Sequence, residues 1–483
     1  MKKILNFKLI ARVVSLNLFI LSLSIFICIG IALFYSENYY PFIFSVLITF
    51  TSALILFLLS KNVDKEEEID QNDAYFTVTI SWVLLGLSGT LPYIFSGAIP
   101  SFTDALFESV SGFTTTGSSI LTDIESLPKS ILFWRSLTHW IGGIGIIVIV
   151  IIILPSLKIG GYHLFTLESS FEDKIKPKIR QVGTRILMIY VGLTVVETAL
   201  LLLGKMSLFE SVCHAFGTVA TGGFSPKNTS IADYSSYIQY VIMVFMLLSG
   251  TNFIIHYYLI RRNFSGIKKN EEFKFYILTI LIIGGIITGI LFFQMNKPFE
   301  LSFRESFFQV ISIVTCTGYA TSDYLVWPEY AWMIIFFAMF LGGSTGSTSG
   351  GIKMARHLIF FKNIKTMFHK LLHPRAVIPV RFNNEPLDDK TNNSTLSFIV
   401  LYFITFLVGT FLMVALGLDG KTAGSSVATC MAGIGPGIGT VGPASNFAHI
   451  PELGKILLSA LMIIGRLEIY TVVVLFTVNF WKS

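Results

Sequence analysis

Four short segments of this 483-residue chain place a glycine behind small or polar residues, at intervals of about a hundred residues. They read Val110-Ser111-Gly112-Phe113, Thr221-Gly222-Gly223-Phe224, Cys316-Thr317-Gly318-Tyr319 and Gly433-Ile434-Gly435-Pro436. Side chains of these types supply no general acid or base and no metal-ligand cluster. What they supply is backbone, because glycine admits positive φ and lets successive carbonyls turn to one side. Four such strands on one axis would present carbonyl oxygens in place of the water around a bare monovalent cation. A lone glycine in an apolar chain more often serves close helix packing. Four in matched surroundings favour the ion-coordinating reading.

Those surroundings are alike. Each segment follows a stretch too short and too polar to cross a bilayer, which takes about 20 apolar residues. The stretches are 101–108, 207–216, 302–311 and 421–431, and each lies between two long apolar runs. In the first three a serine precedes phenylalanine and a glutamate follows (Ser101/Phe102/Glu108, Ser207/Phe209/Glu210, Ser302/Phe303/Glu305). The fourth lacks those marks. With 53% hydrophobic and 13% charged residues the chain is outside the range of soluble globular proteins. The expected fold is an all-α polytopic membrane protein. It has a two-span leader (1–60) and four pseudo-symmetric helix–pore-helix–filter loop–helix repeats (75–155, 184–262, 273–372 and 394–483) around one pore. Ten spans are expected, and only the run 330–371 is expected to be broken.

Charge sets the orientation. Of 35 lysines and arginines, 26 fall in the segments that face the cytoplasm if the N-terminus does. Both termini are therefore expected to be cytoplasmic, and the net charge of +6 reflects topology rather than nucleic-acid binding. Cys28, Cys213, Cys316 and Cys430 show no CxxC spacing and read as packed thiols. Asp104, Glu108, Glu210, Glu305 and Asp323 fall in outward segments, either drawing cations to the entrance or serving as solvated caps. His139, Asn252 and His256 read as helix-packing residues. No HExxH pattern or other catalytic constellation appears, so no enzyme activity is expected.

Two features suit control of a pore. Residues 342–351 hold five glycines and five Ser/Thr inside an otherwise apolar run. Such backbone survives at membrane depth only where it faces water or protein, and Gly351-Ile352-Lys353 does not fit a phosphate loop. A gate built from Gly342, Gly343, Gly346, Gly350 and Gly351, with Lys353 at its cytoplasmic edge, is expected. Arg466 falls within the last apolar run, where a charge faces a cavity or a partner. Glu468 and Glu197 are the candidate partners for an ion pair.

The motifs SGFTTTG (111–117), ATGGFSP (220–226), TCTGYATSD (315–323), GIGPGIG (433–439) and LGGSTGSTSGGIKMAR (341–356) resemble the Trk/Ktr/HKT superfamily of potassium transporters. The resemblance is greatest to its bacterial TrkH-type membrane subunits and extends over essentially the whole chain. It implies a K+ selectivity filter made by the backbone carbonyls of Val110, Ser111, Gly112, Thr221, Gly222, Gly223, Cys316, Thr317, Gly318, Gly433, Ile434 and Gly435. It implies that 342–351 is the gate and that Arg466 is an electrostatic barrier under the filter. K+ would be the transported ion, with no organic cofactor. A homodimer in the lipid of the bacterial inner membrane is implied, with a separate TrkA-type nucleotide-binding ring docked on the basic loops 155–185 and 353–393. Passive uptake and proton symport both stay open, as does a Na+-permeable or Na+-coupled relative.

Overall fold

The computed structural model describes residues 5–61, 70–148 and 175–482. The acidic linker before Asp70, the end of the span 133–154 and most of the basic loop 155–185 lie outside the described residues. The fold is almost wholly helical; among the described residues the only named strands are Arg381–Phe382 and Glu385–Pro386, which pair as one antiparallel hairpin.

Among the described residues six helices are long and apolar enough to cross a membrane: Phe7–Phe34, Tyr40–Leu59, Gln71–Phe95, Gly183–Leu203, Glu271–Gln294 and Asp389–Ala415. Several are apolar on every side. In Phe7–Phe34, Leu18, Leu21, Ile25 and Cys28 are buried while Ile20, Leu23, Phe26 and Ile27 are exposed. A helix greasy all round belongs in a core or in lipid. The outward residues here have no protein cover, so lipid is the environment that fits.

The helices that precede the four glycine loops are too short to span. They are Phe102–Phe113, Leu208–Val219, Phe299–Val314 and Gly420–Ala432, of 12, 12, 16 and 13 residues. At 1.5 Å per residue none exceeds about 24 Å, against a hydrocarbon core of about 30 Å. Three begin with a polar cap, expected at Ser101 and Ser207 but not at Asp419, which satisfies orphan amides of the first turn. Ser101 Oγ accepts from Asp104 N at 3.4 Å, Ser207 Oγ from Glu210 N at 3.3 Å, and Asp419 Oδ1 from Thr422 N at 3.1 Å. The third departs from expectation. It starts one turn earlier, after Pro298, and Ser302 lies inside it with Oγ donating to Lys297 O.

The expectation of a single broken span is corrected. The run 330–371 is broken, into Glu329–Ala338 and Met354–Leu372. The run 237–260 also bends by 103° between Ser249 and Phe253, and 454–480 bends by 109° between Arg466 and Tyr470. Hydropathy continues through both bends, so apolar content alone hides them. Gly250 with the cap Asn252, whose Oδ1 accepts from Ile254 N at 2.8 Å, supplies the first break. Glu468, at φ 56°, supplies the second.

Candidate ion-coordination site and the loop beneath it

All four short helices end in loops with one backbone pattern. Two residues, one apart, take positive φ: Thr115 and Gly117, Thr221 and Gly223, Cys316 and Gly318, Gly433 and Gly435. The residue between them donates its amide back five positions into the helix: Thr116 to Ser111 O, Gly222 to Gly217 O, Thr317 to Ser312 O, Ile434 to Thr429 O, at 2.7–3.0 Å. Such matched offsets fix the register of the four loops without reference to residue type.

The loops also touch in sequence around a ring. A methyl group built on Gly117 would overlap Gly222 O, one on Gly223 would overlap Thr317 O, and one on Gly318 would overlap Ile434 O. On Gly435 it would stand 3.1 Å from Thr116 O, which closes the ring. Each glycine is thus pressed against the carbonyl before the next glycine. All four line a single cavity, with Ser118, Phe224, Ala320 and Pro436 among its other walls.

This geometry corrects the first loop. Val110, Ser111 and Gly112 are in the last turns of helix Phe102–Phe113, and Gly112 spends its carbonyl on Thr115 N and His139 Nδ1. Their places in the ring belong to Thr115, Thr116 and Gly117. SGFTTTG contains two glycines, and the aromatic after the first imitates Phe224 and Tyr319. The structure brings together the other nine residues, Thr221, Gly222, Gly223, Cys316, Thr317, Gly318, Gly433, Ile434 and Gly435.

Polar bonds from behind hold the ring. Tyr319 Oη donates to His214 O and Phe224 O at 3.1 and 3.3 Å, and Ser118 Oγ donates to Gly435 O at 3.0 Å. Tyr324 is fully buried and donates to Gly437 O at 2.6 Å. Tyr324→Phe leaves that carbonyl unpaired, at a cost of about 1–2 kcal/mol. A melting temperature lowered by several degrees in detergent is expected; an unchanged one would refute the bond's contribution.

Glu108 was expected at an open entrance and is instead fully buried. Its carboxylate meets Arg135 Nε at 2.6 Å and accepts from Ser119 Oγ and Ile120 N. Arg135 also donates to Ser225 O at 2.9 Å and lies 3.7 Å over the Phe224 ring. This pair ties the exits of the first and second loops together. Asp104 pairs with Lys455, Glu210 with Lys227 and Glu305 with Lys297, while Asp323 caps Leu325 N. These charges are spent within the protein, which removes most of their pull on passing cations. His139 and His256 bond backbone carbonyls, as packing residues do.

Segment 342–351 packs directly against the short-helix ends. Gly350 leaves no room for a side chain beside Ala432 O, and Thr348 Oγ1 donates to Val219 O at 3.0 Å and Ser249 O at 3.3 Å. Gly343 N donates to Ser349 Oγ and Ser344 N to Gly250 O, each at 2.9 Å. Lys353 bonds back to Ser349 O. Arg466 arrives from the last unit and donates to Thr348 O at 2.7 Å and to Gly142 O at 3.2 Å. The ion-pair reading of Arg466 does not hold, because its bonds go to carbonyls while Glu468 pairs with Arg356 at 2.6 Å. Glu272, which tethers Thr345 and Ala355, was not singled out from sequence; its place beside the charged loop at 261–274 gave no signal.

A mostly helical protein with several helices apolar enough to cross a membrane, and four short helices whose loops line one cavity, is the class this architecture defines. The model of the TrkH cation transport protein family matches residues 42–482. The chain belongs to that family. It is 38% identical to the Trk system potassium uptake protein TrkI of Halomonas elongata, over 85% of this chain and 84% of that one. To TrkH of Escherichia coli K12 it is 34% identical, over 99% of this chain and all of that one. The crystal structure of the potassium transporter TrkH from Vibrio parahaemolyticus superposes with a TM-score of 0.91 at 30% identity, covering 99% of this chain and 100% of the other.

Proposed function

We propose that this chain is the translocating subunit of a potassium-uptake system, carrying K+ across the bacterial inner membrane through a gated pore. The observation that carries the proposal is the ring in which each loop glycine abuts the carbonyl preceding the next. In this reading the four units form one fourfold pseudo-symmetric pore. Thr115–Gly117, Thr221–Gly223, Cys316–Gly318 and Gly433–Gly435 are its filter, and their carbonyls replace hydration water. The short helices point their C-termini, the negative ends of their dipoles, toward the ion. Glycine in all four filter positions favours K+ over Na+. Segment 342–351, Lys353 and Arg466 form the gate beneath.

The TrkI and TrkH relatives are potassium uptake proteins, and near-complete coverage by TrkH supports carrying that activity to this chain. Both termini are cytoplasmic in this reading, two copies assemble with a pore each, and a TrkA-type nucleotide-binding ring docks on the basic cytoplasmic loops. Expression in a bacterium lacking its potassium-uptake systems is expected to restore growth at low external K+. Purified protein in liposomes is expected to pass radioactive rubidium, with K+ competing at least about tenfold better than Na+. Equal competition would replace this reading by the Na+-permeable alternative. Flux driven by a pH gradient alone would identify symport.

A further inference from the structure

Glu272, second residue of helix Glu271–Gln294, is fully buried. Its Oε1 accepts from Thr345 N at 2.7 Å, Thr345 Oγ1 at 3.1 Å and Ala355 N at 2.9 Å. Thr345 lies within segment 342–351, and Ala355 opens the helix that leaves it. One carboxylate oxygen therefore pins both the segment and its exit to a neighbouring helix. Bonds to a carboxylate are about twice as strong as neutral ones, and removing it would leave amide donors stranded in a dry site.

The adjoining Glu271 faces the hairpin Arg381–Pro386. Glu271 N donates to Asn383 Oδ1 and Asn383 N donates to Glu271 Oε2, each at 2.9 Å. Lys362, on helix Met354–Leu372, bonds Glu271 and donates to Arg381 O at 2.8 Å. Asn383 and Asn384 both take positive φ, 51° and 69°, as a two-residue hairpin turn requires. Phe382 is 1% exposed and packs in a small core with Ala355, Ile359 and Leu387. The hairpin's other side, Arg381, Asn384, Glu385 and Pro386, is open to solvent. Phe382 thus packs on Ala355, whose amide donates to the same Glu272 carboxylate that holds Thr345.

We propose that Glu272 is the positioning residue that holds segment 342–351 beneath the glycine ring. The hairpin Arg381–Pro386 braces the same tether, through Phe382 against Ala355 and Asn383 against Glu271. The proposal rests on the reading of 342–351 as the gate.

The test uses the full-length chain in liposomes, with radioactive rubidium entry and the K+/Na+ competition ratio as paired readouts. Glu272→Ala is expected to raise basal entry about fivefold with the ratio unchanged. Glu272→Gln keeps an acceptor oxygen and is expected to bring entry back within about twofold of the parent. Phe382→Ala is expected to raise entry similarly, and combining it with Glu272→Ala adds little, because both act through Ala355. Where Glu272→Ala does not yield monodisperse protein, Asn383→Ala, which removes the Oδ1 that accepts from Glu271 N, is expected to raise entry at least about twofold; no rise overturns the proposal. Parental entry in the variants, alongside raised entry on deleting Thr345–Ser347, overturns Glu272 as the tether and leaves the gate standing. Parental entry in that deletion as well overturns the gate and the proposal together.

Discussion

Gly117→Ala is expected to reduce rubidium entry into liposomes by at least about a hundredfold, whereas Gly112→Ala leaves the K+/Na+ competition ratio within about twofold of the parent. The two glycines are five residues apart in one motif, and only geometry tells them apart. Gly117 sits at φ 80°, and a methyl group there would overlap Gly222 O. Backbone cannot yield as a flexible side-chain tip can, so the Gly222 carbonyl must turn away from the axis or the loops must separate. A hundredfold loss corresponds to about 2.7 kcal/mol in the barrier, less than the desolvation of one unsatisfied cation would cost. Gly112 is helical, and a methyl there would press on the Thr138 hydroxyl, a side chain that can move. Its substitution is expected to lower the melting temperature and spare selectivity. Equal loss of selectivity in both variants would return the filter register to Val110–Gly112.

Arg466→Ala is expected to raise basal rubidium entry at least about tenfold. Arg466 is 6% exposed and answers only to carbonyls, so its charge is not cancelled by a carboxylate within bonding distance. Were a cation to pass about 8 Å from that charge, an effective dielectric constant of about 20 would give a repulsion of about 2 kcal/mol. Its bonds to Thr348 O and Gly142 O also lash segment 342–351 to the first unit. Arg466→Gln separates the two effects, since glutamine can donate to a carbonyl and carries no charge. Entry raised in both variants assigns the barrier to charge. Parental entry in Arg466→Gln with raised entry in Arg466→Ala assigns it to the tether, and parental entry in both removes Arg466 from control of flux.

Much of this arrangement could be read from residue order. Ser101 and Ser207 mark the starts of short helices because a polar cap leaves a local signature, whereas the Asp419 cap went unread. Residues 342–351 announce a break because ten small or polar residues cannot continue an apolar helix. What escaped notice depends on distance in space. Glu108 and Arg135 are far apart in the chain, so neither signals that the other neutralises it. The bends after Ser249 and Arg466 fall inside unbroken hydropathy, where one capping residue or one left-handed backbone outweighs a long apolar pattern. Gly112 and Gly117 differ in the bonds of their backbones, and composition is silent on that.

Thr115, Thr221 and Cys316 hold left-handed backbone at φ 52–56°, although each carries a Cβ. An L-residue there gives up about 1–2 kcal/mol. Three such residues flank the ring in which each loop glycine abuts a neighbouring carbonyl, so the loop set carries backbone cost of its own. In the filter proposed above, a bound cation shares in holding that backbone. Occupancy and folding are then thermodynamically linked, so the cargo is also a fastener. Salt choice during purification becomes a structural variable, with the chain sturdiest in the ion its ring fits and loosest in choline chloride.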